Sequence, residues 1–171
     1  MKTLDIIQKT REYLDYLEEH IVNVEKAWKE MQVKCKDMRF IYDDFYHHWI
    51  DMQVQLHDVS KLSEYEFVQY RDAFFPLSYE EKEPLGSAWE HHKRHNPHHW
   101  ENWTSLKIVS NPNEWEVHCV HMVIDWMAMG YKFGDTAQKF YEKNKEKIDL
   151  PDYAIDFIYE IFKRITFVNQ E

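Results

Sequence analysis

Glycine, proline and cysteine are all scarce in this sequence, and each shortage limits what the protein can be. The 171 residues include 3 glycines and 5 prolines, so few breaks interrupt a pattern that is almost entirely helical. Cys35 and Cys119 make no disulfide framework, and neither lies in a Cys-x-x-Cys zinc pattern. No signal-peptide core opens the sequence, and no run approaches the roughly 20 apolar residues of a membrane span. A reduced, cytoplasmic location is therefore expected.

Positive charge is also in short supply. Lysine and arginine number 21 against 31 aspartates and glutamates, which gives a formal net charge of -10. Nucleic acid and anionic membranes bind mainly through clustered basic residues, so neither is an expected partner. In contrast, aromatic residues make up 16% of the chain and hydrophobic residues 44%, which supports a packed core. The length fits one domain spanning residues 1–171.

Hydrophobic periodicity predicts an all-α fold, a single compact domain of about six or seven helices. The predicted helices span about 3 to 33, 37 to 58, 63 to 74, 87 to 95, 114 to 131 and 135 to 148, and a last one opens at Pro151. In the first, the predicted apolar stripe is Leu14, Leu17, Ile21, Val24, Trp28 and Met31. In the second, the inward residues are Ile41, Phe45, Trp49, Met52 and Leu56.

Local signals set some of the predicted boundaries. Ser63 and Glu66 form a capping-box pattern at the start of the third helix. Asp135 is expected to cap the helix that runs to Ile148. The segment 104 to 113 is ambiguous, since Leu106–Val109 suits a short strand and residues 111–113 suit a turn.

The stretch Leu56–Leu62 carries the strongest sign of chemistry. His57 and Asp58 are adjacent, and they offer an imidazole nitrogen and a carboxylate oxygen to one divalent metal ion. Lys61 follows His57 by four residues, so on a helix its ammonium lies on the same face. A metal ion beside a cation suits an anionic substrate such as a phosphate.

Other candidate ligands stand before and after this stretch. His20 lies at the edge of the first apolar stripe, where it is either a hydrogen-bonded core histidine or a ligand. Asp125 lies among apolar residues, and it is either an exposed carboxylate or one with a buried partner. His118 and His121 share a face with Asp125, and they are ligands, partners of ligands or surface residues.

A histidine cluster occupies residues 91–99, with five imidazoles in nine positions. His91 and His95 are four residues apart, and His92 and His95 are three apart, so either pair can converge on one ion. His98 and His99 follow the break at Asn96-Pro97. Imidazoles together with carboxylates favour iron, manganese, zinc, nickel or cobalt over calcium. The alternative is a solvated polar turn.

The ordered set of His20, His57-Asp58, His92, His98-His99 and Asp125 resembles the H…HD…H…H…D pattern of the HD-domain superfamily. These are all-α metal-dependent phosphohydrolases, with a minority of diiron oxygenases. His-Asp-Val-Ser-Lys at 57–61 is similar to the HD-x-G-K motif of one branch, with serine in place of glycine. The Gly-Tyr-Pro signature of that branch is absent, which counts against cyclic dinucleotide hydrolysis. HDxSKL, HNxHH and DWMAM also resemble a small uncharacterised family of bacterial and phage proteins.

The resemblance implies a ligand set. His20, His57, Asp58 and Asp125 would hold a first metal ion, and Asp58 would bridge to a second ion bound by His92, His98 and His99. Which of His91, His92 and His95 points inward stays open. A metal-activated water would attack phosphorus, and Lys61 would contact a phosphate oxygen, with Arg94, Lys93 and Arg71 as weaker candidates.

The resemblance implies three classes of function. The first is a hydrolase of a nucleotide or another small phosphoester, with Asp58 and Lys61 as its catalytic residues and one or two divalent transition-metal ions as cofactors. The second is a diiron oxygenase on the same scaffold, and the third is a non-catalytic metal-binding helical protein. The oligomeric state is open.

Overall fold

The computed structural model of the chain describes residues 2–78, 84–106 and 114–166. Over these residues the fold is all-α, as predicted, and contains no strand. The helices are α1 (Lys2–Lys34), α2 (Arg39–Tyr42), α3 (Asp44–Gln55), α4 (Phe67–Phe74), α5 (Gly86–His95), α6 (Trp100–Leu106), α7 (Trp115–Phe133), α8 (Ala137–Asn144) and α9 (Asp152–Thr166), with a 3-10 turn at Val59–Leu62. None of these helices is both long and apolar enough to cross a bilayer.

Helix α7 lies at the centre and packs against α1, α3, α8 and α9. Its apolar residues Val117, Val120, Ile124 and Met127 are all buried, and so are most residues between them. A helix that is apolar on nearly every side can be stable only when other helices surround it. Each fully buried valine or isoleucine contributes about 1.5–3 kcal/mol, so α7 anchors the core.

Helix α1 joins two separate apolar clusters. Its carboxyl-terminal half places Val24, Trp28 and Met31 in the main core, as predicted. Its amino-terminal half uses Tyr13 and Leu17 in a smaller cluster, together with Tyr70 of α4 and Ala88 of α5. The prediction that Leu14 is buried was wrong, since Tyr13 takes that place and Leu14 is exposed. His20 lies on the buried face between the two clusters.

The predicted helix 37–58 is divided at Asp43, whose extended backbone ends α2 and whose side chain accepts a hydrogen bond from Phe45 N. The chain restarts there in a new phase, so the predicted inward set was largely wrong. Phe45, Met52 and Leu56 are exposed. The residues that α2 and α3 bury instead are Phe40, Tyr46, Ile50 and Val54.

The capping box at Ser63 and Glu66 was also wrong. Helix α4 begins at Phe67, and the Ser63 hydroxyl makes no hydrogen bond. Glu66 is fully buried and turns towards histidines. Thr136, not Asp135, caps α8 by accepting from Lys139 N.

Helix α6 occupies part of the ambiguous segment, so Leu106 ends a helix and does not begin a strand. The rest of the suggested strand and the turn at 111–113 lie outside the described residues. The prediction of six or seven helices therefore merged α2 with α3 and missed α6. Helices α5, α7 and α9 begin within one residue of their predicted positions. The Pro151 carbonyl accepts a hydrogen bond from Ala154 N in the first turn of α9.

Candidate metal centre

Three parts of the chain bring the first predicted ligand set together. His20 comes from α1, His57 and Asp58 follow α3, and Asp125 comes from α7. The His20 Nε2 atom lies 2.9 Å from His57 Nε2, 3.6 Å from Asp58 Oδ2 and 3.3 Å from Asp125 Oδ1. The His57 Nε2 atom lies 3.5 Å from Asp58 Oδ2 and 3.7 Å from Asp125 Oδ1. Residues from three separate parts of the sequence thus converge through one atom each.

The backbone of Asp58 is left-handed, with φ 56° and ψ 17°. It is the one residue other than glycine with positive φ among the residues that the structure describes. Aspartate tolerates this conformation better than most residues, yet it costs about 1 kcal/mol. The turn directs the carboxylate inward, so Oδ2 faces His20 and His57 while Oδ1 faces the histidine cluster.

The second group contains Asp58, His92, His98 and His99, one atom of each lying within 4.8 Å of the others. The Asp58 Oδ1 atom is 3.2 Å from His92 Nε2 and 3.5 Å from His98 Nε2. Asn96 positions the chain here by ending α5 and donating to the His92 carbonyl and the Ser60 hydroxyl. The break at Asn96-Pro97 therefore brings His98 and His99 beside His92.

Four polar atoms of this second group are buried and have no hydrogen-bond partner among the residues that the structure describes. They are Asp58 Oδ1, His92 Nε2, His98 Nε2 and His99 Nε2. Leaving one such atom unpaired costs about 1–3 kcal/mol. Ligand atoms about 2.1 Å from one metal ion stand roughly 3.0–3.5 Å apart, and both groups contain such spacings. All four residues of the second group, and His20, His57 and Asp58 of the first, therefore place donor atoms close enough together for a divalent transition-metal ion.

The open choice among His91, His92 and His95 is answered by their side chains. His92 is 1% exposed and directs Nε2 at Asp58. His91 donates from Nδ1 to Glu66 Oε1 at 2.6 Å, whereas His92 meets the other oxygen of that carboxylate. His95 is exposed and donates from Nδ1 to the His91 carbonyl. His92 is thus the one that faces the centre.

Sequence reasoning missed Glu66 and left His121 undecided. The Glu66 carboxylate lies 2.9 Å from His92 Nδ1 and accepts a hydrogen bond from Ser60 at 3.1 Å. His121 Nε2 lies 2.8 Å from His57 Nδ1. Each therefore holds the back of a ring whose Nε2 faces the centre. The spacing of His121 from Asp125 on α7 was a usable signal, whereas Glu66 was hidden by its apparent role as a cap.

The basic candidates lie in different surroundings. Lys61 is buried over the Tyr70 ring, and its ammonium lies 2.5 Å from Asp58 Oδ2. Arg94 is exposed on α5, Lys93 pairs with Glu90, and Arg71 pairs with Asp72. Of these four basic residues, Lys61 is therefore the one that lies in the centre, and it pairs with the carboxylate of Asp58.

Burial sets the protonation of most rings in the centre. It lowers the pKa of His57 to about 3 despite the carboxylate of Asp58. It also holds the pKa of His99 and His121 well below the ordinary value, assisted by His98. These imidazoles are neutral at neutral pH, so each keeps a lone pair that a metal or a donor can use.

The carboxylates stay ionised although they are buried. Burial would raise the pKa of Asp58, but His57 and Lys61 outweigh it and hold that pKa well below its ordinary value. Burial would likewise raise the pKa of Asp125, and the hydrogen bond from His20 outweighs it. Burial lowers the pKa of His92, but Asp58 and Glu66 outweigh it and raise that pKa. The position between these two carboxylates therefore favours positive charge, whether a proton or a metal ion supplies it.

A cavity of about 480 Å³ opens beside the centre. His98, His99 and Asp125 line one end, and residues of α5, α6, α7 and α8 form the remaining walls. Lys61 and Arg94 are not among its lining residues. A volume of this size suits a small molecule and excludes a folded protein or a duplex.

Comparison with known proteins gives one match. Residues 9–164 match a family described as being of unknown function, DUF5662. No curated protein matches the chain, and no solved structure does. The family description assigns no activity, so the resemblance to HD-domain phosphohydrolases stays a prediction. Because the match covers nearly the whole chain, the protein belongs to the DUF5662 family.

Proposed function

We propose that this protein is a metal-dependent hydrolase of small phosphoesters. The observation that carries the proposal is the carboxylate of Asp58, which faces one group of candidate ligands through each oxygen, next to a cavity that His98, His99 and Asp125 line. A single bridging carboxylate between two sets of nitrogen and oxygen donors suits a pair of metal ions. We therefore infer one or two divalent transition-metal ions as the cofactors.

The first ion would be held by His20, His57, Asp58 and Asp125, and the second by Asp58, His92, His98 and His99. Imidazole and carboxylate donors favour iron, manganese, zinc, nickel or cobalt. When bound, such ions lower the pKa of a coordinated water and polarise a phosphoryl oxygen. The cavity supplies the route by which a small ester reaches His98, His99 and Asp125.

Glu66 and His121 select the tautomers that this function needs. A neutral His92 that donates its Nδ1 proton to Glu66 keeps the Nε2 lone pair directed at Asp58 and its neighbours. A neutral His57 that donates its Nδ1 proton to His121 does the same on the other side of Asp58. Both partners therefore fix the direction of a ring that would bind metal.

Lys61 balances the charge of the shared carboxylate. Its ammonium is paired with Asp58 Oδ2, and burial would lower its pKa, but Asp58 outweighs burial and the pKa is raised. Lys61 is therefore charged, and it holds Asp58 in place from the side opposite the second group. Through this contact Lys61 would position the carboxylate of Asp58. A direct contact between Lys61 and a substrate phosphate is a separate prediction, and Lys61 is not among the described residues that line the cavity.

The proposal is tested on protein purified without a histidine tag. Elemental analysis is expected to find at least one and up to two transition-metal ions per chain, and the metal-loaded protein should hydrolyse members of a phosphoester panel. Chelation should abolish turnover, and added metal should restore it. Oxygen consumption by the iron-loaded protein, without ester hydrolysis, would replace the proposal with the oxygenase. Bound metal with neither reaction would assign the centre to metal binding alone.

A further inference from the structure

The walls of the cavity beside the centre are unusually aromatic. We call it the aromatic cavity, and its large apolar lining residues are Trp89, Trp100, Trp126, Met129, Phe133, Phe140 and Ile148. Flat side chains on several walls favour a flat guest, since aromatic rings pair in stacked or edge-to-face arrangements that exceed simple burial in strength. The lining therefore carries information about the organic part of a ligand, which the metal centre alone does not.

The aromatic walls begin directly at the candidate ligands. Trp100 follows His99 in sequence, Trp126 follows Asp125, and the Trp89 ring lies 5.1 Å from the His99 ring. A chemical group that packs against these indole rings is therefore next to the candidate ligands. The linkage between such a group and the reacting phosphate must accordingly be short.

The outer part of the cavity exposes apolar rings to solvent. Phe133 is 68% exposed and Phe140 is 39% exposed, and both line the cavity. Apolar side chains exposed together at the mouth of a cavity are typical of a binding site. Lys147 is the one lysine or arginine in the lining among the residues that the structure describes. The described lining thus carries five Trp and Phe rings and one basic side chain, and its other charged residues are Glu101, Asp125 and Asp135.

We propose that the aromatic cavity binds a planar aromatic ring that is joined to the phosphate of the substrate by a short linkage. This inference rests on the proposed function, because the phosphate would be held at the metal centre. It adds a substrate class, aryl or similarly flat phosphomonoesters, and it makes Phe133 and Phe140 specificity-determining residues. Phe140 makes a ring contact with Trp126, and among the described residues no ring contact joins Phe133 or Phe140 to a candidate histidine ligand, so their replacement should leave the centre unchanged.

The test compares phenylphosphonate with methylphosphonate, which share one anionic head and are not hydrolysed. Calorimetric titration of the metal-loaded protein should show phenylphosphonate binding at least about tenfold more tightly, because a phenyl ring gains apolar contact that a methyl group lacks. The double variant Phe133→Ala/Phe140→Ala should reduce that preference to about threefold or less. Phe45→Ala, which removes an equally exposed ring outside the cavity, should leave the preference intact.

Equal affinity of the two phosphonates, or an unchanged preference in the double variant, would overturn the inference. Thermal unfolding checks that each variant stays folded. We expect this because the replaced phenylalanine side chains are exposed. Turnover is then measured separately with phenyl phosphate and methyl phosphate. A phenylphosphonate preference without hydrolysis of either ester would remove the proposed function and leave the aromatic cavity as a binding site.

Discussion

The apolar core and the candidate metal centre are both built on α7, and both are largely buried, but their polar and apolar groups find partners to different extents. Val120 and Ile124 are fully buried among apolar neighbours. His121 lies on the same helix at 2% exposure, yet its Nδ1 atom has no hydrogen-bond partner within the described part of the chain. One face of α7 thus buries apolar side chains among apolar neighbours, whereas the next face buries a polar atom without a described partner.

This difference indicates which region the fold depends on and which region serves function. Burial of apolar area stabilises the core whatever else is bound. The centre combines ionised carboxylates, neutral imidazoles and a lysine, and those groups gain little from burial alone. Buried polar groups without partners occur mainly at functional sites. We therefore expect the centre to stabilise the folded protein mainly when metal is bound.

The largest expected effect follows Asp58→Asn. Asparagine tolerates the left-handed backbone at this position, so the turn should persist. Loss of the shared carboxylate should weaken metal binding at least about hundredfold, and the unpaired Lys61 ammonium should cost about 3–5 kcal/mol in chelator. Metal titration and urea unfolding with and without chelator measure the two effects.

A second substitution separates those two effects. Asp58→Asn/Lys61→Met removes both members of the buried pair and should recover most of the lost stability without recovering metal binding. Asp44→Asn changes an exposed carboxylate and serves as the control. Full metal occupancy in Asp58→Asn would show that the carboxylate is not a ligand.

A substitution in the apolar core should instead lower the stability equally with and without metal. Ile158 on α9 is fully buried, so Ile158→Ala should lower the free energy of unfolding by about 2–5 kcal/mol. The loss should be the same in metal and in chelator, because this side chain belongs to the apolar core. Ile7→Ala, at a half-exposed site on α1, should have little effect. A metal-dependent loss for Ile158→Ala would contradict the separation of the two regions.

The pH dependence of stability that His118 contributes tests the boundary between the apolar core and the centre. Burial lowers its pKa to about 4 from an ordinary 6.5, and His98 adds to the shift. The unfolded chain therefore binds more protons between these values, so the stability from neutral His118 is present above pH 6.5 and lost as pH falls towards 4. The difference corresponds to roughly 3 kcal/mol.

His118→Leu should remove this part of the acid dependence, and chemical unfolding from pH 7 to pH 4 in chelator measures it. His48→Leu, at an exposed histidine, should keep the wild-type dependence. Identical pH profiles for wild type and His118→Leu would show that His118 is not held neutral by the fold.

The sequence predicted the periodic parts of this protein well and the breaks poorly. Helices α1, α7 and α9 follow from apolar repeats, because the repeat and the burial have the same cause. The division at Asp43 and the burial of Glu66 do not, since each depends on contacts made after the chain has folded. Asp43 and Glu66 carry side chains that suit several local roles, and only the neighbours decide between them.

The candidate site was predicted through order and residue type. His20, His57, Asp58 and Asp125 were named from a pattern, and the structure brings them together. The inward choice of His92 could not be made, because α5 has no apolar repeat strong enough to fix which face is buried. The members of the candidate site could therefore be named from the sequence, whereas the directions of their side chains could not.

The smallest effect should come from Asp125, the ligand most distant in sequence from the shared carboxylate. Asp125→Asn keeps an oxygen that can accept from His20, so the metal-free protein should unfold at the wild-type temperature. It removes a charge from the first ligand set, which should weaken metal binding about tenfold, equivalent to 1.4 kcal/mol. The thermal midpoint should accordingly fall only when metal is present, because bound metal stabilises the folded state by mass action. Asp15→Asn, at an exposed position on α1, provides the matched control. Equal shifts of the midpoint with and without chelator would assign Asp125 to the fold and leave His20, His57 and Asp58 as the first set.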